Sequence, residues 1–241
     1  MINVGILETG ANRPEFLAEH GTFASWFERL FADLPLAFAT YEAYLGQLPD
    51  APDVCDAYLI TGSAASVNDP DVWIAELADF VVGAVEQRPF VGVCFGHQLL
   101  HKIYGGSVEG VAQGWGIGVH DYQIRTRHGL VPEGRDHFAF RVSHSEHVAT
   151  PARATTLIAA SEFCPYAITL IGENMLTLQG HPELSPEFAR AVYQKRRELI
   201  GGQKVDDAIA TLGRSTDDAA FADVVYRFLE DRIARLAQAE G

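Results

Sequence analysis

Between Ile2 and Gly106 the hydrophobic period of the chain switches back and forth, and that switching leaves few folds open. "INVGIL" (Ile2–Leu7), "AYLITG" (Ala57–Gly62) and "PFVGVC" (Pro89–Cys94) are short, nearly continuous apolar runs that stop at loop residues, the pattern of buried strands. Each is followed by apolar residues at helical spacing. The first set is Phe23, Trp26, Phe27, Leu30 and Phe31, and the second is Val72, Ile74, Leu77, Phe80, Val81 and Val85. The third segment, "HQLLHKIYGG", closes on a glycine pair suited to a left-handed cap. Strands without polar alternation, separated by helices, predict an α/β fold: a mostly parallel central sheet with helices on both faces. In such sheets ligands bind beyond the carboxyl ends of the strands. Cys94 stands at one of those ends.

From Trp115 to Leu178 the pattern becomes β-like, with strands predicted in "GIGVHDYQIR", "HFAFRVSHSEHV", "TTLIAAS", "YAITLIG" and "NMLTLQGH". The last of these brings His181 to another strand end. "SPEFARAVYQKRRELI" and "DDAAFADVVYRFLEDRIARLAQ" read as helices, and "GGQK" (Gly201–Lys204) as a turn between helices. The final helix carries an apolar stripe of Phe221, Val224, Val225, Phe228, Leu229, Ile233 and Leu236, suited to core packing or to a homodimer surface, with core packing expected. No repeat or linker divides the chain. Residues 1–241 are therefore read as one domain, with 184–241 a helical C-terminal extension packed on the core.

A formal net charge of −14 argues against nucleic acid or an anionic membrane as partner. The densest basic run, "KRRE" (Lys195–Glu198), lies in a helical segment and reads as a solvated face. Three cysteines, Cys55, Cys94 and Cys164, have neither disulfide density nor metal spacing, and fit reduced thiols in a cytosol. No apolar run reaches the length of a membrane span, so a soluble, cytoplasmic protein is expected.

Gly92-Val93-Cys94-Phe95-Gly96 has the form of a nucleophile elbow with cysteine in place of serine. A sharp strand-to-helix turn crowds the backbone, so a side chain at either glycine would collide with it. The turn exposes the sulfur at a helix N-terminus, where the macrodipole and free N–H groups favour thiolate. It also aims the Phe95 N–H at the space beside the sulfur, as half of an oxyanion hole. Spacing alone leaves two readings open for Cys94, a nucleophile and a small buried hydrophobe. Cys55 and Cys164, with no elbow, read as packing residues.

A cysteine nucleophile needs a base, and the base an orienter. His181 in "LQGHPE" is the best candidate among nine histidines, with Glu183 near enough to take a hydrogen bond from its ring. His97 and His101 lie on the helix after Cys94 and would be carried away from the sulfur, into surface or packing roles. His144 and His147 have ligand spacing but no third ligand accompanies them, so neither a metal nor a cofactor is expected.

With these residues on the page, the chain resembles the class I, triad-type glutamine amidotransferases, including the glutaminase domain of GMP synthetase and its stand-alone relatives. The resemblance rests on "ILETG" (Ile6–Gly10), "LITGSAASVND" (Leu59–Asp69), "PFVGVCFGHQLLHKIYGG" (Pro89–Gly106), "SHSEHV" (Ser143–Val148) and "LQGHPE" (Leu178–Glu183). It implies a flavodoxin-like sheet and a Cys-His-Glu triad of Cys94, His181 and Glu183. It further implies an oxyanion hole from the N–H groups of Gly62 and Phe95, and a contact from Gln98 to the bound glutamine. "SHSE" resembles the segment that holds the substrate's α-amino and α-carboxyl groups, which implicates Ser143, His144 and Glu146. The chain departs from the family where it has Glu146 in place of aspartate, and where "GWGIG" lacks the usual glutamate before Ile-Gly.

The resemblance implies hydrolysis of the γ-glutamyl amide of glutamine through a thioester on Cys94, with ammonia passed to a separate synthetase subunit. About 60 residues follow His181 and contain no phosphate-binding loop, so acceptor chemistry would need that partner. The alternative is a free-standing hydrolase of γ-glutamyl peptides or amides. A third reading, an inactive regulatory or binding module, is opposed by the intact Cys94, His181 and Glu183. The width of the leaving-group side of the pocket separates the first two.

Overall fold

The computed structural model describes residues 1–239. Its elements run β1 (Ile2–Leu7), α1 (Pro14–His20), α2 (Phe23–Leu30), β2 (Leu36–Tyr41), β3 (Ala57–Ile60), α3 (Val72–Ala84), β4 (Phe90–Val93) and α4 (Phe95–Ile103). They continue with β5 (Ser107–Gly110), β6 (Gly116–Ile124), β7 (His137–His144), β8 (Glu146–Thr150), β9 (Thr155–Ala160), β10 (Ile168–Ile171) and β11 (Met175–Leu178). The chain closes with α5 (Pro186–Lys195), α6 (Arg197–Ile200), α7 (Gly202–Thr211) and α8 (Asp218–Ala239).

Nine strands form one sheet in the order β2-β1-β3-β4-β11-β10-β9-β6-β7. The pairings from β2 to β11 are parallel and those from β11 to β7 antiparallel, so every strand runs the same way except β10 and β6. This is the mostly parallel α/β sheet that the strand pattern predicts. The carboxyl ends of β1, β3, β4, β11 and β7 consequently lie along one edge.

Successive strand residues face opposite sides. Val4, Ile6, Leu59, Val91, Val93, Leu176 and Leu178 face α2 and α8. Leu7, Tyr58, Ile60, Phe90 and Met175 face α3 and α4. Phe221, Val224, Val225, Phe228 and Leu229 of α8 are each no more than 4% exposed, so most of that stripe is spent on the core. The remaining helices pack by Leu184, Phe188, Ala189, Tyr193, Val205, Ala208 and Leu212. Tyr193 fixes α5 to the sheet: its hydroxyl donates to the Val142 carbonyl at 2.6 Å and accepts from the Gly118 N–H at 3.1 Å. No helix among the described residues is long and apolar enough to cross a membrane.

The structure differs from the sequence reading at several elements, among them β5, which was not expected, and the break between α5 and α6 at Arg196; four further differences bear on the fold. "LAFATY" is an edge strand, β2, whose half-exposed residues lack the unbroken apolar signal of a central strand. α1 is a further addition, opened by Pro14 and burying none of its residues. "HFAFRVSHSEHV" is not one strand, since Ser145 divides it into β7 of the main sheet and β8, which pairs with β5 in a separate two-stranded sheet. Finally, "GGQK" is more than a turn: Gly202, Gln203 and Lys204 begin α7, whose Val205 and Ala208 are buried.

Candidate active site

The turn at Cys94 has the crowding that its two glycines suggest. A Cβ on Gly96 would lie 2.5 Å from the Ile60 carbonyl oxygen, and one on Gly92 would lie 2.7 Å from the carbonyl carbon of Gly96. Cys94 itself has φ of 51° and ψ of −97°, a strained left-handed conformation for a residue with a side chain. Neighbouring elements hold that strain in place. The Cys94 N–H donates to the Leu178 carbonyl at 2.8 Å, the Gly96 N–H to the Thr61 carbonyl at 3.1 Å, and the Gln98 N–H back to the Cys94 carbonyl at 3.0 Å. Beyond the turn, α4 ends in a Schellman motif with Gly105 at φ of 87°: Gly106 N–H bonds the His101 carbonyl and Gly105 N–H the Lys102 carbonyl.

A buried polar chain ties α4 to the sheet. The Ala152 N–H donates to His101 Nδ1 at 3.0 Å, so a neutral His101 carries its proton on Nε2 and gives it to Thr169 Oγ1 at 2.9 Å. Thr169 then donates to Thr177 at 2.6 Å, and Thr177 to His97 Nδ1 at 2.7 Å. Burial pushes His101 down to about 4 and His97 well below its ordinary value. Both are packing residues rather than surface ones, under the helix that carries Cys94.

His181 reaches Cys94 because β11 pairs in parallel with β4, Leu178 opposite Val93, which leaves both residues at neighbouring strand ends. Its backbone is pinned by a bond from its N–H to the Arg141 carbonyl at 2.9 Å. Its Nδ1 donates to Glu183 Oε1 at 2.6 Å, which leaves Nε2 as the ring nitrogen free for the sulfur. Burial by itself would push this imidazole down. Glu183, together with Cys94, outweighs that and holds it well above its ordinary value. Gly62 packs against the same pair, since a Cβ there would meet His181 Cε1 at 3.0 Å and Cys94 Cβ at 3.5 Å.

The Gly62 and Phe95 N–H groups donate to no acceptor among the described residues. The Thr61–Gly62 peptide is locked: the Thr61 carbonyl accepts from Gly96 N–H and from Thr9 Oγ1, so the N–H of the same planar unit points the opposite way. Thr9 Oγ1 also reaches the Gly62 carbonyl at 2.8 Å. Two loops, after β1 and β3, are thereby fastened beside the sulfur.

One cavity opens on the Cys94 side, lined by Cys94, Phe95, Gln98, Ser143, His144 and Glu146 among others. The break at Ser145 turns Ser143 and Glu146 toward it from two different sheets. Gln98 is less free than the resemblance implies, because its Nε2 donates to the Glu146 carbonyl and to Gln179 Oε1, both at 3.0 Å. His144 Nδ1 donates to the Glu146 carbonyl at 2.9 Å, and burial pushes its ring down to about 3, so it stays neutral. The Glu146 carboxylate accepts no hydrogen bond and pairs with no cation among the described residues, and is available to a ligand. His147 Nδ1 lies 3.4 Å from the Phe163 carbonyl, and among the described residues no group of His, Cys, Asp and Glu could hold a metal ion.

Sequence reasoning missed a second cavity, on the His181 side. It is lined by His181, Glu183, Gly62 and Ser143, then by Phe16, Phe23, Trp26 and Phe188, with Arg13, Lys195 and Arg196 as its basic residues. The "KRRE" run is thus not simply a solvated face. Arg196, at the end of α5, turns inward to line both cavities, donates to Ser143 Oγ at 3.1 Å and lies over the Trp115 ring at 4.8 Å. The available signal was position: Arg196 falls on the side of α5 that also presents Phe188 and Val192, at helical spacing.

The whole arrangement is an α/β sheet with a cysteine elbow and a histidine–carboxylate pair at adjoining strand ends. Residues 48–197 match the model of the class-I glutamine amidotransferase family, and the chain belongs to that family. A glutamine amidotransferase-like protein of Schizosaccharomyces pombe is 26% identical over 245 residues, covering 94% of this chain and 98% of its own. Gamma-glutamyl peptidase 3 of Arabidopsis thaliana is 25% identical over 214 residues, covering 85% and 84% respectively. In fold, the chain is similar to the crystal structure of a glutamine amidotransferase from Thermotoga maritima, with a TM-score of 0.76, 17% identity, and 95% and 98% of the two chains covered.

Proposed function

We propose that this protein hydrolyses γ-glutamyl C–N bonds through a Cys94-His181-Glu183 triad, with glutamine as the simplest substrate. The observation that carries the reading is a buried His181 held to Glu183 beside a cysteine on a strained elbow. In this mechanism Cys94 Sγ attacks the side-chain amide carbon, and the oxyanion forms against the N–H groups of Phe95 and Gly62. His181 Nε2 protonates the departing nitrogen. The γ-glutamyl thioester left on Cys94 is then cleaved by water activated by the same ring, releasing glutamate. The free Glu146 carboxylate, backed by Ser143 and His144, is suited to the substrate's α-ammonium group, and Gln98 positions Glu146 from behind.

Where the leaving group is ammonia, a separate synthetase subunit would receive it. Two observations favour the second reading, a hydrolase of larger γ-glutamyl amides: the cavity on the His181 side is larger than ammonia requires, and a gamma-glutamyl peptidase is among the relatives. Glutamate release by the purified protein, from glutamine and from γ-glutamyl dipeptides, tests both. Cleavage of dipeptides at a higher kcat/KM than glutamine selects the second reading, and turnover of glutamine alone selects the first. Equal release by wild type and Cys94→Ala removes the nucleophile from both.

A further inference from the structure

Acid catalysis assigns the two cavities different roles. The γ-glutamyl head belongs on the Cys94 side, where Glu146 offers its free carboxylate. The departing nitrogen must lie within reach of His181, which protonates it, so whatever that nitrogen carries projects into the cavity on the His181 side. That cavity measures about 110 Å³, room for several water-sized groups and so for more than ammonia, and it opens at its mouth to solvent.

Its walls are aromatic. Phe188 stands edge-on to Phe16 at 5.7 Å between centroids and lies against Trp26 at 4.4 Å, while Phe23 meets Trp26 at 4.8 Å. Phe16 and Phe23 remain half-exposed there. Its charge is cationic. Arg13 and Arg196 are close enough for Arg13 to add to the effect of burial in pushing Arg196 down, and among the described residues neither has a carboxylate within 4 Å. Lys195, by contrast, is paired with Glu15 at 3.3 Å. In a chain of net charge −14, two neighbouring guanidinium groups without a counter-ion mark a place for an anion.

Resting on the γ-glutamyl hydrolase reading above, we infer that this cavity is a leaving-group subsite for an aromatic amino acid, and that the substrate is a γ-glutamyl dipeptide ending in phenylalanine, tyrosine or tryptophan. The ring lies among Phe16, Phe23, Trp26 and Phe188. The carboxylate, on the carbon that bears the leaving nitrogen, is held by Arg196 and Arg13. Arg196 suits this because it borders both cavities and so lies near the scissile bond. In the chemical step the C–S bond to Cys94 forms, the C–N bond breaks, and the His181 proton passes to the nitrogen, which leaves as the free amino acid. Water then adds its oxygen to the thioester carbon and a proton to His181, and glutamate departs as the thiolate returns. Dipeptide and water become glutamate and an aromatic amino acid. A leaving group that carries a positive charge and no carboxylate is disfavoured by Arg13 and Arg196.

The test measures kcat/KM of the purified protein for γ-glutamyl-phenylalanine, γ-glutamyl-alanine, γ-glutamyl-phenethylamine and glutamine, with Cys94→Ala as control. We expect γ-glutamyl-phenylalanine to exceed γ-glutamyl-alanine and γ-glutamyl-phenethylamine by about tenfold or more each, since ring and carboxylate each have partners. Phe23→Ala should shrink the first ratio and Arg196→Gln the second. Cys94-dependent cleavage with no preference for ring or carboxylate overturns the subsite and leaves the hydrolase reading standing. Turnover independent of Cys94 overturns the hydrolase reading. If wild type turns over none of the four, calorimetry with Cys94→Ala decides: binding γ-glutamyl-phenylalanine no more tightly than γ-glutamyl-alanine overturns the subsite, and tighter binding by about tenfold supports it.

Discussion

The two cavities that meet at Cys94 and His181 share Ser143 and Arg196 but are made of different material. On the Cys94 side the wall is mostly polar and comes from strand ends and the first turn of α4: Phe95, Gln98, Ser143, His144 and Glu146, with Gln98 and His144 both bonded to the Glu146 carbonyl. On the His181 side it is aromatic and comes from side chains of α1, α2 and α5. A wall held by main-chain bonds at a sheet edge cannot change without disturbing the sheet, whereas a wall of helix side chains changes by substitution alone. The contrast suggests that one side holds the reacting group common to many substrates and the other selects among them.

The sharpest break in that contrast is removal of the group where the sides meet. Cys94→Ala should lower glutamate release by about 10⁴-fold for every substrate, whatever its leaving group, and Glu183→Gln by about 10²-fold or more, measured as kcat/KM. A Cys94→Ala loss confined to one substrate would show that the cavities serve separate chemistries.

Next in size is the elbow itself. Gly96→Ala forces a Cβ to 2.5 Å from the Ile60 carbonyl, with rigid backbone on that side, and should cost about 3 kcal/mol or more in urea unfolding. A substitution on the aromatic side, Phe23→Ala, removes a half-exposed ring and should cost less than half as much by the same measurement.

Acid should weaken the polar side. His101 is pushed down to about 4, so between that value and its ordinary 6.5 the unfolded chain binds a proton that the folded one excludes. Stability contributed by this site is complete above pH 6.5 and is lost as pH falls toward 4, by about 2 kcal/mol at pH 5. His144, pushed down to about 3, works in the same direction. Urea midpoints between pH 7.5 and 4.5 should fall more steeply for wild type than for His101→Gln, and parallel curves would show that His101 is protonated in the fold.

The smallest effect sharpens the division of labour. Glu146→Gln should raise KM about tenfold for every γ-glutamyl substrate with kcat nearly unchanged, because it weakens a charged contact to the head group only. A KM effect that varies with the leaving group would place Glu146 on the wrong side.

Much of the fold was legible in the sequence. The buried strands β1, β3 and β4 read directly from unbroken apolar runs, since strands covered on both faces need no polar alternation. Cys94 between Gly92 and Gly96 was legible because steric crowding is local and only glycine relieves it. β2 and α1 escaped because an edge strand and a helix that buries nothing carry no strong period. The single run from His137 to Val148 hid its break at Ser145, because moving to another sheet changes partners without changing the apolar pattern.

The sequence by itself determined the alternation of buried strands and helices, the cysteine elbow and the nearness of Glu183 to His181, because each depends on residues close together in the chain. Only the tertiary structure decided that β11 lies beside β4, that the loops after β1 and β3 are fastened at Gly62, and that α5 returns Phe188 and Arg196 to the site. Those outcomes depend on which strands pair and which helix faces meet, and pairing is set by packing among segments far apart in sequence. The same reason explains why Cys94, His181 and Glu183 could be picked out as a pattern while the cavity on the His181 side emerges only in the fold.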